Sequence, residues 1–311
     1  VFPRAVALLA FHRRENLNLL SGDAYPNTMI RGKNVMRPVA WAVAVSALFL
    51  SGCGDFDGWD QVRESVHYSH DLQPGGTLRI DNSNGRVDIA GWDRNSLDVS
   101  GEKYAGSPDL LKRIKVQIQV VGNDVTIHTV RPDGFWMGNG GVRYTIRVPH
   151  SITLSSIETT NGSVTAEDIE GPGHLRSTNG SLHLARLQGD YDVGTTNGAI
   201  ALDQVDGLLT GHTTNGSIKG EMKNGAVKVS TTNGSIDIGL RTAQSTRPLR
   251  LETTNGSIRL AIGQLNGNSI DASTTHGSIT LRLPSPINAR LHASTSFGGI
   301  GTDIPLARVE E

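Results

Sequence analysis

Thr213-Thr214-Asn215-Gly216-Ser217-Ile218 decides how this chain is read, because the same phrase, or a near copy, returns across the C-terminal half at almost fixed intervals. Its Asn falls at Asn161, Asn179, Asn197, Asn215, Asn233 and Asn255, with His276 in that place in the next copy. The first four steps are equal and the last two only slightly longer. A degenerate copy, Ser296-Phe297-Gly298-Gly299-Ile300, follows at the same interval as the one before it. A short, nearly constant period is the mark of a stacked, quasi-one-dimensional fold.

With the Asn counted as zero, position +3 holds Val164, Leu182, Ile200, Ile218, Ile236, Ile258, Ile279 and Ile300, and position +5 is apolar almost throughout. Position +4 between them holds Thr165, His183, Ala201, Lys219, Asp237, Arg259 and Thr280, side chains with nothing in common except that all can face water. That is the two-residue alternation of a strand. Before the Asn, position −4 is again apolar (Ile157, Leu175, Val193, Val229, Leu251). By parity the Thr or Ser at −2 points inward and the Thr at −1 outward. Asn and Gly tolerate left-handed backbone best, so Asn-Gly is expected to turn the corner through positive φ at both residues. A second glycine row at Gly171, Gly189, Gly207 and Gly225 marks another bend.

Asn-Gly also suits a two-residue hairpin, which would make the strands antiparallel. Identical residues recurring in register favour parallel stacking instead, with Asn over Asn in a side-chain amide ladder. The expected fold is all-β: a single-stranded parallel β-helix, or β-solenoid, of about eight coils of 18–22 residues, with an N-terminal β-rich cap. At about 4.8 Å per coil, eight copies span roughly 40 Å.

Composition agrees. There are 37 Gly in 311 residues, with aromatics at 5% and charged residues at 19%, which suits a coil-and-turn β protein with a narrow core. Residues 1–52 carry six Lys or Arg and two Asp or Glu, leaving 23 basic and 28 acidic residues in 53–311, a net of −5. No basic face is concentrated enough to suggest nucleic acid as a partner.

Residues 29–52 read as a secretion signal. Arg31, Lys33 and Arg37 precede an apolar run from Val39 to Leu50, too short to span a bilayer, which needs about 20 residues. Met29 and Met36 both stand where a start would serve that signal, and residues 1–28, which show no period, are set aside as a mis-called upstream extension. Leu50-Ser51-Gly52-Cys53 resembles the lipobox of bacterial lipoproteins, which implies removal of the signal and lipid modification of Cys53, the only cysteine. Two or more acyl chains, such as palmitate, at that residue would hold the protein on a membrane where one would not. The resemblance implies a lipid-anchored protein of the cell envelope, on the outer membrane in a Gram-negative organism, since Gly54 and Asp55 follow the cysteine.

Residues 53–71 then make an acidic tether and a first strand, in which Val62, Val66 and Tyr68 alternate with polar residues. Asn82-Ser83-Asn84-Gly85-Arg86-Val87-Asp88-Ile89 is an early copy of the phrase. Its Asn-Gly lies more than four of the regular steps before the copy at Asn161, too far, on spacing alone, to be a regular coil neighbour. Between the two, Pro108 to Lys115 reads as a helical turn, 116–120 with 125–128 as a hairpin, and 142–149 as an alternating strand. Phe135, Trp136 and Met137 sit in a loop that is either a contact loop or, the favoured expectation, a cap folded over the open end of the solenoid, where an exposed strand edge invites aggregation.

The repeated phrases, the early Asn-Ser-Asn-Gly-Arg-Val-Asp-Ile-Ala-Gly-Trp segment and the Tyr-Thr-Ile-Arg-Val-Pro strand resemble the bacterial "putative adhesin" family, domain of unknown function 4097. The resemblance covers residues 72–305, with regular repeats over 155–303 and a C-terminal tail at 306–311. It implies a right-handed β-helix on a secreted or lipid-anchored protein. His276 and Phe297 depart from the pattern and suggest that the stack loosens or caps toward the C-terminus.

Chemistry is sparse. Polysaccharide-processing solenoids place carboxylates on adjacent coils of one outward face, and here row −3 (Glu158, Arg176, Gly194, His212, Ser230, Glu252) is mixed. Glu167, Asp168 and Glu170 cluster in a turn and read as a solvated surface. His67 with His70, and His183 with His212, lack metal-ligand spacing, and no cofactor motif is present. The outward Thr row at −1 lacks the second Thr rank of an ice-binding array. The expectation is a non-enzymatic, lipid-anchored envelope protein whose solenoid presents a surface to protein or glycan. The alternatives are an envelope scaffold with no ligand of its own and a carbohydrate-active enzyme.

Overall fold

The structure, a computed structural model, describes residues 5–10, 61–131, 140–244, 247–285 and 289–294. The signal segment with Cys53, the loop with Phe135 to Met137 and the copy at Phe297 lie outside the described residues.

Each coil is a strand running into the Asn and a strand running out of it, and each strand pairs in parallel with its counterpart one coil away. On the incoming side Ile157, Leu175, Val193, Gly211, Val229, Leu251 and Ala272 are in register. On the outgoing side Val164, Leu182, Ile200, Ile218, Ile236, Ile258 and Ile279 are in register. The fold is a β-solenoid of about six turns, and the hairpin alternative falls. Six of those seven outgoing residues are 0% exposed. Each such side chain is worth about 2 kcal/mol of burial, so the row of identical positions is the core. The two longer steps after Asn233 and Asn255 are taken up in loops clamped by the buried Asn268, whose side-chain amide donates to the carbonyls of Gln244 and Arg247.

The amide ladder is present and unbroken through seven residues. Asn161 donates to Asn84 at 2.8 Å, and Asn179, Asn197, Asn215, Asn233 and Asn255 each donate in turn to the Asn below at 2.8–2.9 Å. His276 stacks in register on Asn255 but carries no amide to extend the ladder. Ile279 and Leu281 beside it are only half-buried.

The corner itself differs from expectation. Neither Asn nor Gly has positive φ in the copies from Asn161 to Asn255. Glycine is needed there for another reason: a Cβ on Gly162, Gly180, Gly198, Gly216, Gly234 or Gly256 would stand well inside contact distance of the carbonyl oxygen of the glycine one coil below. The constraint is close approach between coils, not left-handed backbone. The second glycine row does bend as expected, with φ of 137, 122 and 144 at Gly189, Gly207 and Gly225.

Just inside the amide ladder runs a second one. The Thr or Ser at −2 is buried in every coil from Thr159 to Thr274. Ser177, Thr195, Thr213, Thr231, Thr253 and Thr274 each donate their hydroxyl to the carbonyl of the glycine in the coil below, at 2.8–2.9 Å. Thr159 is the exception, an unpartnered buried hydroxyl, because Gly85 O is taken by the amide of the buried Asn82 at 3.1 Å. Thr213→Val keeps the shape and removes the donor, leaving the part-buried Gly198 carbonyl short of a partner. It should cost about 1–2 kcal/mol in urea unfolding, whereas Thr214→Val on the outward row should change stability by less than about 0.5 kcal/mol.

The early copy overturns the spacing argument. Asn84 pairs in register with Asn161, and the two are adjacent rungs despite their separation along the chain. Strand Val87–Trp92 lies between Val164–Glu167 and Gly140–Pro149, parallel to both. Strand Asp124–Val130 lies on the far side of Gly76–Asn84 from Ile152–Asn161. The chain therefore lays down the Asn84 coil and leaves it. It builds an outer coil from Asp124–Val130 and Gly140–Pro149, then returns at Ile152 on the opposite side of the first. The excursion also supplies the cap. Ser96–Ala105 pairs antiparallel with Gly140–Pro149, Val62–Asp71 with Ser96–Ala105, and Lys115–Val121 with Asp124–Val130, ending both parallel stacks. The expected hairpin and strands are present. The helix is Pro108–Arg113, capped by the Ser107 hydroxyl, and Lys115 already begins the next strand.

Ala5–Ala10, within the stretch set aside, forms a strand parallel to Ser269–His276 and to Ala289–Ser294. Its apolar run has no polar alternation, and so carries no period for a sequence reading to find.

Candidate functional site

Each early coil turns a further corner that the sequence does not announce. Asp168, Arg186 and Gln204, each at position +7 from its Asn, have φ of 56, 51 and 56. Left-handed backbone costs a residue with a Cβ about 1–2 kcal/mol, yet three successive coils use it with a polar side chain. The next residue in each, Ile169, Leu187 and Val205, is buried at 0%, 1% and 0% exposure and pins the turn. Glu170, Gln188 and Asp206 then bridge in parallel. This short third side shows polar side chains at both ends of a one-residue anchor.

The Glu167, Asp168 and Glu170 cluster is more structured than a solvated turn. Arg186 of the next coil donates to Asp168 at 2.7 and 3.0 Å and to Glu167 at 3.1 Å. The guanidinium holds the Asp168 carboxyl below the usual carboxylate range. The fork is bidentate but half-exposed, so it fixes geometry more than it adds stability.

A cleft of about 330 Å³ opens along this side. At one end His150 makes a 2.7 Å contact from Nδ1 to Asp168 O and a 3.2 Å contact from Nε2 to Asp93. The bond to that carbonyl raises the His150 pKa, and Asp93 adds to the rise. Further along, Gln188, Gln204 and Lys223 line the cleft from three successive coils, and none makes a side-chain hydrogen bond or ion pair among the described residues. Asp206 beside them accepts from Asn224 at 3.0 Å. Amides and an ammonium left free in a concave polar site are suited to recognising hydroxyl and carbonyl groups.

A second hollow of similar volume lies over Gly173 on the incoming sheet. The Tyr191 ring fills the space beneath that glycine, buried and with its hydroxyl unpartnered. The rim is self-satisfied: Asp192 pairs with Arg176 at 2.8 Å and His174 at 3.3 Å, and Asp190 with Arg247 at 3.0 Å.

The other sequence candidates stay apart. His67 lies 3.5 Å from Asp98 and His70 stacks on Tyr68, while His212 bonds Ser230 on the incoming sheet and His183 lies on the outgoing one. Among the described residues no group of three or more His, Cys, Asp or Glu is placed to hold a metal ion. No described helix is long and apolar enough to cross a membrane. The Thr row at −1 does face outward, beside the amide ladder. The third-side cleft escaped sequence reading because its signal, left-handed φ at an Asp, an Arg and a Gln, is not written in residue type.

Residues 75–310 match the Toastrack DUF4097 family. Among solved structures, a "putative adhesin" from Bacteroides fragilis NCTC 9343 is 17% identical, with 70% of this chain and 96% of that one covered and a TM-score of 0.46. A "putative lipid binding protein" from Parabacteroides distasonis ATCC 8503 is 9% identical over 70% and 96% of the two chains, with a TM-score of 0.37. A "putative cell adhesion protein" from Clostridium sporogenes ATCC 15579 is 13% identical over 70% and 99%, with a TM-score of 0.28. No curated protein matches the chain.

Proposed function

Because the chain belongs to the Toastrack DUF4097 family, we propose that it is a non-enzymatic protein of the cell envelope that binds envelope glycan or protein through its solenoid. Lipid on Cys53 tethers it to the membrane, a reading supported by Leu50-Ser51-Gly52-Cys53. The observation that carries the binding reading is the third-side cleft, where Gln188, Gln204 and Lys223 converge with no partner of their own among the described residues. Sugar hydroxyls or peptide carbonyls supply the missing partners. At the same place the Asp168 carboxyl, lowered by its hydrogen bonds from Arg186, is committed to that ion pair and is not poised as a general acid.

The test has two arms on the full chain expressed in a bacterial envelope. Intact mass and membrane partitioning of the wild type and Cys53→Ala are expected to show an acylated Cys53 and loss of membrane association in the variant. Retention on immobilised envelope polysaccharide and envelope protein is expected to weaken at least about tenfold, or about 1.4 kcal/mol, in Gln188→Ala/Gln204→Ala. A chain that partitions without Cys53 overturns the anchor. A chain retained by neither material favours a scaffold with no ligand of its own.

A further inference from the structure

Another segment of the chain packs against the His150 end of the cleft. Gly91 packs so tightly against Asp168 O and His150 Nδ1 that a Cβ there would have no room, which brings the end of strand Val87–Trp92 onto the same side. Trp92 is half-buried, and its indole N–H donates to Ser96 O at 2.9 Å, which fixes the ring. Two guanidiniums lie over that one ring, Arg94 at 4.9 Å and Arg147 at 6.0 Å from its centroid. Both side chains are exposed, and neither makes a salt bridge or hydrogen bond among the described residues. Asp98 lies opposite Arg147 in the ladder, but its carboxylate is placed against His67 at 3.5 Å. Asp93 is turned to His150, and Asp168 is committed to Arg186.

An arginine stacked on an aromatic ring loses little further freedom when it binds, and its edge N–H groups form a planar fork that fits a carboxylate or phosphate. Two such forks with no salt bridge of their own among the described residues, oriented by one ring, are a place for an oxyanion. We propose that Trp92, Arg94 and Arg147 form a subsite for the carboxylate or phosphate of an acidic glycan, whose neighbouring sugars lie along the cleft past His150 toward Gln188 and Gln204. Trp92 positions the two arginines and the arginines hold the charge. The amides take hydroxyls, one coil to the next. This rests on the reading of the cleft as a binding site and adds the charge of what it binds.

The experiment titrates the full chain calorimetrically with an oligogalacturonide, a neutral maltooligosaccharide of equal length, and inorganic phosphate. The acidic oligosaccharide is expected to bind at least tenfold more tightly than the neutral one, with affinity falling as salt rises. Arg94→Ala/Arg147→Ala, exposed positions whose folding is checked by circular dichroism, should abolish that preference. Arg94→Lys/Arg147→Lys should keep the charge and lose the fork, and so fall between. Phosphate binding as tightly as the oligosaccharide overturns the glycan part. Equal binding of acidic and neutral chains, or a preference untouched by the alanine pair, overturns the subsite while the binding reading stands. If neither oligosaccharide binds and envelope glycan is not retained either, the glycan reading of the cleft falls with it.

Discussion

Gly216→Ala is expected to destabilise the protein by about 3 kcal/mol or more, the largest single-residue effect on the ladder. The added methyl would be driven into Gly198 O, an atom of the neighbouring backbone that has no rotamer to escape into. Relief requires the Asn215 coil to lift away from the Asn197 coil. That movement would stretch the 2.8 Å bond between Asn215 and Asn197 and the 2.9 Å bond from Thr213 to Gly198 O together. In a stack where each coil touches only its neighbours, the damage falls on one interface, so urea unfolding followed by far-UV circular dichroism should show an early transition. Gly106→Ala is the control. Nothing lies within 4 Å of a Cβ there and φ is not in the left-handed region, so the change should stay within about 0.5 kcal/mol of wild type. Equal midpoints for the two variants would mean that the corner glycines are not held by close approach.

Ile236→Ala should cost about 2–5 kcal/mol, since Ile236 is 0% exposed and stacked in register between Ile218 and Ile258. The cost belongs at the upper end of that range, because its neighbours are fixed by the backbone ladder and cannot collapse into the cavity. Asp237, the next residue, points the other way and makes only a 3.6 Å surface pair with Arg259. Asp237→Ala should lie within about 0.5 kcal/mol of wild type. A ratio near one between the two effects, measured as shifts in the urea midpoint at constant slope, would contradict the two-residue parity on which the fold is read.

The charged subsite at Trp92 explains why the sequence said little about function. Trp92, Arg94 and Arg147 come from the two ends of an irregular segment, and the cleft they adjoin through His150 draws on coils that follow it. The two mixed outward rows of the regular coils, which the repeat makes easy to compare, share no chemistry from coil to coil. Regularity in this protein lies in the buried rows and in the Asn and Thr rows at the corner, and neither carries a ligand signal.

Residue type by itself determined the parallel stack. Period-two burial and an amide ladder both require like residues one coil apart, so Ile over Ile and Asn over Asn could be read directly from the spacing. Tertiary structure alone decided the rest. It set Asn84 beside Asn161, with the whole cap-forming excursion between them, because register answers to the neighbouring coil and not to distance along the chain. It gave the corner glycines their reason, since the oxygen that excludes a Cβ belongs to another coil. It also made the cleft, since the left-handed turns at Asp168, Arg186 and Gln204 are held by the buried residues beside them, whose packing is set only once the coils are stacked.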